Sequence, residues 1–154
     1  QGDNGGRWEQ ASEALTNPAI AVRATDIRNS KDRFLDLLRI RYSTPLFRLG
    51  DSYEIADRVR FPQGGEAQKP GVIVMQILSQ GEGLETLDPR WKSVVVVFNS
   101  GSKPATDTVD ALADGTYDLH PVQKRGSDPT VKTATLVDGT FTVPGRTVAV
   151  FVQK

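Results

Sequence analysis

The sequence predicts a mostly β fold: an antiparallel β-sandwich of about eight strands preceded by a helical segment. Three observations carry this. From Val59 onward, short runs rich in Val, Thr, Ile and Phe are bounded by Gly, Pro, Asn or Asp. Before Val59 the apolar residues recur at helical spacing instead. Asp138-Gly139 lies between two alternating runs, and this pair readily accepts the positive φ angles of a tight hairpin.

Two helical signals come first. Trp8 to Leu15 can form about two turns, ended by Thr16-Asn17-Pro18, because the residue before a proline is pushed out of the α region. From Thr25, the expected N-cap, to Arg41, the apolar residues Ile27, Phe34, Leu37, Leu38 and Tyr42 share helical spacing. Arg28, Lys31, Asp32, Asp36 and Arg39 fill the other faces. Such an apolar stripe needs a partner, and no second long helical pattern supplies one. It is therefore expected to fold back on the sandwich, to meet a missing body, or to drive self-association. Pro45 closes this helix, and Ser52 is placed to cap one short turn through Ala56.

The strand runs are Val59–Phe61, Val72–Leu78, Val94–Asn99, Thr106–Val109, Gly115–His120, Lys132–Val137, Thr140–Val143 and Thr147–Val152. Val94-Val95-Val96-Val97-Phe98 is apolar at every position and reads as a central strand covered on both faces. Thr133-Ala134-Thr135-Leu136 and Phe141-Thr142-Val143 alternate, so one side of each faces water. Pro62 to Pro70 and Ser79 to Pro89 read as loops.

Composition restricts function. With 154 residues the chain makes one domain plus an appendage. Lys plus Arg and Asp plus Glu both number 19, leaving no basic excess for phosphates, so a nucleic-acid partner is not expected. No apolar run approaches the roughly 20 residues of a membrane-spanning helix, and no membrane partner is expected. The first residues, Gln1 to Trp8, read as the interior of a longer protein.

The residues offer little chemistry. His120 is the single histidine, so a Ser-His-Asp arrangement would rest on one imidazole inside a predicted strand. There is no cysteine, and one histidine does not make a zinc site. No catalytic residue, metal ligand or cofactor is assigned. Asp32 and Asp36 lie one helical turn apart, within the roughly 5 to 9.5 Å that separates paired glycosidase carboxylates. Flanked by Arg28, Lys31 and Arg39, they read instead as a solvated face. Trp91, Tyr53 and Tyr117 are candidates for stacking on sugar rings, although packing in a core or interface is the commoner use of such residues.

Specific strings say more. Gly2-Asp3-Asn4, Asn17-Pro18-Ala19, Phe34 to Arg41 and Ser43 to Gly50 resemble the end of the catalytic barrel in pullulanase-type α-1,6-glucosidases. The resemblance continues through Arg58 to Phe61, Pro70 to Met75, Val94 to Asn99, Leu119 to Gln123 and Phe141 to Val152. It implies that residues 1–50 are the last loop and helix of a (β/α)8 barrel and that residues 51–154 are the C-terminal β-sandwich, packed against that barrel and stabilising it. The parent enzymes of this family hydrolyse α-1,6 links in pullulan and branched dextrins. Their catalytic carboxylates lie on earlier barrel strands, upstream of Gln1. The resemblance also places Asp3 and Asn4 near substrate in the parent. It makes a bacterial extracellular or plant plastid setting the expected location of the parent, while the sandwich architecture with Trp91, Tyr53 and Tyr117 makes an α-glucan-binding module the alternative function. Gly5-Gly6-Arg7 departs from the family pattern before the Trp, so no sugar contact is carried over to Trp8.

Overall fold

A computed structural model describes residues 5–154. Helix α1 (Trp8–Thr16) stops where Pro18 forbids its continuation, and the Asn17 side chain accepts the Ala19 N–H at 2.9 Å to start a short 3₁₀ turn, Pro18–Ile20. Helix α2 (Ala24–Ser43) begins ahead of the expected Thr25 cap. The cause is Asp26, whose carboxylate reaches back to the Arg23 N–H at 2.9 Å and fixes the first turn there. Thr44 then caps a turn at Pro45–Arg48.

Helix α3 (Ser52–Arg58) is capped by Asp51, not Ser52: the Asp51 carboxylate accepts the N–H groups of Tyr53 and Glu54. An acceptor-only carboxylate at a helix N-terminus also gains from the positive end of the helix dipole, which favours Asp51 over a hydroxyl.

Eight strands follow: β1 (Val59–Arg60), β2 (Val72–Leu78), β3 (Ser93–Asn99), β4 (Ala105–Thr108), β5 (Tyr117–Leu119), β6 (Thr135–Val137), β7 (Thr140–Val143) and β8 (Thr147–Gln153). They form two antiparallel sheets, one of five strands in the order β1-β2-β3-β8-β5 and one of three in the order β4-β7-β6. The Val94–Phe98 run is indeed central, paired with β2 on one edge and β8 on the other. On the small sheet the water-facing positions pair as hydroxyls, Thr106 with Thr142 at 3.0 Å and Thr108 with Thr140 at 2.9 Å.

Three predicted strands are shorter than the sequence suggests, β1 by its last residue, Phe61. His120 leaves β5 and becomes the N-cap of helix α4 (Pro121–Arg125), because Pro121 is preorganised for the first helical position and cannot donate to a sheet. Val131–Thr133 winds into a 3₁₀ turn before β6.

There are two cores. Between the sheets, Val72, Val74, Val95, Val97, Leu119, Ala149 and Phe151 of the large sheet meet Leu136, Phe141 and Val143 of the small one. On the outer face of the large sheet, Ile77, Val94, Val96, Val150 and Val152 pack with Trp91 under Ile40 of α2 and Leu46. Asn99 bolts the sheets together through its amide, which donates to the carbonyls of Val143 and Pro144.

The β6–β7 hairpin turns through Asp138 at φ 47° and Gly139 at φ 72°, as the sequence predicts. A Cβ on Gly139 would also lie 2.7 Å from the Val109 carbonyl oxygen. Gly139→Ala is expected to lower unfolding stability by about 2 kcal/mol, read from the urea midpoint at unchanged slope.

Candidate functional site

Helix α2 presents two different faces, and the contrast defines the site. The face turned to the sandwich carries Asp36, Ile40 and the residues just beyond the helix, Thr44 and Leu46, all buried. Ile40 and Leu46 supply the apolar contact, worth about 1.5–3 kcal/mol each at full burial. Asp36 supplies direction. One of its carboxylate oxygens accepts both the Ser127 N–H at 2.7 Å and the Ser127 hydroxyl at 2.9 Å, and the other accepts from Arg39 at 2.6 Å. A Cβ on Gly126 would lie 2.5 Å from that carboxylate, so only glycine permits the approach. One turn earlier, Arg33 pairs with Asp128 at 3.3 Å.

The opposite face stays open. Phe34 is 60% and Tyr42 67% exposed, with Ile27 beside them on the same stripe. No residue of α1 is buried. The apolar stripe read from the sequence thus stays largely off the sandwich: Leu37 lines a depression with Val148, and Leu38 is half-buried. A neighbouring face carrying a carboxylate docks instead.

A polar relay fixes the lower end of α2. Arg58 of α3 is fully buried; it pairs with Glu54 and donates to the carbonyls of Ser79 and Glu85 at 2.8 Å each. The Ser79 hydroxyl donates to the Asp88 carbonyl and accepts the Asp88 N–H. The Asp88 carboxylate grips Arg90 through two contacts, at 2.9 and 2.7 Å. Arg90 in turn donates to the Ser43 carbonyl at the end of α2 and lies 4.8 Å over the Trp91 ring. The bonds from Arg90, with a further one from Thr44, hold the Asp88 carboxyl below its usual range.

His120 completes the relay. Its Nδ1 accepts the Val122 N–H at 3.1 Å, so its proton sits on Nε2, which donates to the Ser43 hydroxyl at 3.1 Å. The Ser43 hydroxyl in turn donates to the Ile40 carbonyl at 2.7 Å. An imidazole arranged this way has no lone pair aimed at the serine, and among the described residues no carboxylate bonds to either ring nitrogen. The Ser43–His120 contact is a structural tie.

The sugar-stacking candidates are scattered. Trp91 is buried on the outer face of the large sheet, with its ring 5.0 Å from His120 in an edge-on contact. Tyr117 packs against the inter-sheet core on the other side of that sheet and lines a cleft of about 300 Å³ with Asp118, Lys124 and Lys132. Tyr53 is 79% exposed on α3. Asp3 and Asn4 lie outside the described residues. Of the paired acids, Asp36 is the buried anchor, while Asp32 meets Lys31 at 3.6 Å near the surface.

A model of the C-terminal region of pullulanase-type alpha-1,6-glucosidases matches residues 1–154. The chain belongs to that family. It is 39% identical to the chloroplastic pullulanase 1 of Arabidopsis thaliana, a match covering all of this chain and 16% of the plant protein. Against the pullulanase of Klebsiella pneumoniae the identity is 28%, over 96% of this chain and 14% of the bacterial one. The ligand-free structure of K. pneumoniae PulA superposes with a TM-score of 0.83 at 26% identity, covering 97% of this chain and 14% of that one. The chain thus spans about one sixth or less of the relatives it matches.

Asp36 gives a pH-dependent prediction. The Ser127 N–H, helped by its hydroxyl and by Arg39, holds the carboxyl below its ordinary 3.8. A carboxylate with a depressed folded value contributes stability that is present above 3.8 and is lost as pH falls through the folded value. Asp36→Asn is expected to cost roughly 2 kcal/mol near neutral pH and progressively less under strong acid, measured by urea unfolding. Arg58→Ala empties a fully buried side-chain site and removes one donor each from the carbonyls of Ser79, which keeps the Leu87 N–H, and Glu85, and a loss of about 3 kcal/mol is expected in the same assay.

Proposed function

We propose that this chain is the non-catalytic C-terminal domain of a debranching enzyme that hydrolyses α-1,6-glucosidic bonds, and that it stabilises the catalytic region of the same polypeptide by packing against it. The two-faced α2 carries this reading. One face is committed to the sandwich through Asp36, Ile40 and Ser43, while the other leaves Phe34 and Tyr42 largely in water. Water-exposed apolar surface of this extent on one helix marks a contact surface. Membership of the family and the small share of each relative that the chain covers support an occupant from the same polypeptide.

On this reading residues 1–50 close the catalytic barrel and residues 51–154 form the sandwich, with α2 belonging to both. The catalytic carboxylates come from upstream. The isolated 154-residue chain is therefore expected to release no reducing ends from pullulan.

A second reading, binding of an α-glucan by the sandwich, is favoured by Tyr117 in its cleft and by the exposed ring of Tyr53. Burial of Trp91 leaves that reading without a platform of three rings. Retarded migration of the chain in gels containing pullulan or amylopectin, abolished by Tyr117→Ala, would establish it.

The docking face is tested in the full-length enzyme. Phe34→Asp is expected to lower its stability by about 2 kcal/mol, seen as a lower thermal midpoint, while leaving that of the isolated chain unchanged. An unaltered midpoint in the full-length enzyme would remove the proposal.

A further inference from the structure

The joint between α2 and the sandwich holds a buried group that the docking function does not use. We propose that it is a proton-operated latch: uptake of one proton by His120 frees the C-terminal end of α2 from the sandwich while both sheets stay folded.

The geometry works only with a neutral ring. Nδ1 is an acceptor for the Val122 N–H, the first cap of α4, and Nε2–H is the donor to Ser43 at the end of α2. A second proton has to go on Nδ1, where it faces the Val122 N–H head on and removes the cap. The ring then has to turn to find an acceptor. Turning takes Nε2 away from Ser43 and the ring edge away from Trp91, 5.0 Å off.

The surroundings offer the new charge no compensation. The strand beneath gives only backbone, as His120 donates its N–H to the Val150 carbonyl at 2.7 Å. From α2 comes the Ser43 hydroxyl; Asp36, nearly two turns earlier on that helix, is engaged with Ser127 and Arg39. The segment before β3 brings Arg90, already paired with Asp88, and α4 brings Arg125, so both nearby charges that act on the ring are positive. The ring is 1% exposed. Burial first, then Arg90 and Arg125, lowers its pKa to about 4 from an ordinary 6.5.

The sign follows from linkage. A histidine with a depressed value in the closed joint titrates at its ordinary value once the joint opens, so falling pH favours the open form. The effect begins at 6.5 and is complete near 4. Asp36 and Asp88 take up protons only below 3.8 and so weaken the joint in a separate, lower window. Between about pH 7 and about pH 5 the opening constant rises roughly 20-fold for this shift. The latch lies within the chain and holds whether or not the free face of α2 meets a catalytic region.

Amide hydrogen exchange on the whole chain, corrected for intrinsic pH dependence, tests it. Protection at Val122, Lys124 and Ile40 to Ser43 is expected to fall roughly 20-fold between those pH values, with Val94 to Val97 far better protected at both. His120→Asn keeps a side-chain acceptor for the Val122 N–H but has no titrating group, and it is expected to abolish the fall. Ser43→Ala should loosen the end of α2 at neutral pH without acid. The latch is overturned by an imidazole signal titrating at the ordinary 6.5, by a fall that persists in His120→Asn, by unchanged protection in Ser43→Ala, or by α2 amides that exchange only together with Val94 to Val97.

Discussion

The large sheet is apolar on both faces, and the rest of the structure follows from the need to cover both. Val95 and Val97 point into the sandwich, whereas Val94 and Val96 point out of it, and all four are buried. A three-stranded sheet covers one side. Ile40 of α2 and Leu46, together with Trp91 and Val122, cover the other, so α2 and the turn after it are part of the fold that the sandwich requires. The polar relay from Arg58 through Ser79, Asp88 and Arg90 to Ser43 gives that cover a single position, since apolar contact alone does not specify where a helix lies. Every buried side-chain polar atom among the described residues finds a partner there or elsewhere.

Much of this was legible because the relevant signals are local. The all-apolar run at Val94–Phe98 announced a strand buried on both faces, and Asp138-Gly139 announced its hairpin. Both depend on neighbours one or two residues away. What escaped the sequence depends on distant partners. Asp36 looked like part of a solvated face because Arg39 stands one turn on, yet its main partner is Ser127, 91 positions later. His120 read as a strand residue until Pro121 turned it into a cap. The helical period correctly found the apolar stripe of α2. It gave no sign that a second face, with a carboxylate at its centre, holds the sandwich.

Family membership and geometry answer different questions. The match over the whole chain to the C-terminal region of pullulanase-type α-1,6-glucosidases says what larger protein such a sequence is part of. The geometry shows where this portion has surface to spare: along Phe34 and Tyr42 of α2, away from the residues that hold the sandwich. Among the candidate aromatics, only Tyr53 and Tyr117 have faces that a ligand can reach. Trp91 serves the joint.

Coverage of the outer sheet face by α2 also sets a lower limit on what can be made as a well-behaved piece. A division at residue 50 follows the change in sequence character, but it strips Ile40 and Leu46 from Val94, Val96, Val150 and Val152. The run exposed by that cut is uncharged, β-branched and free of proline, the composition that feeds cross-β aggregation. In this sense the second half of α2 acts as a built-in guard over the most sticky segment of the chain, and a separable sandwich begins no later than Arg33.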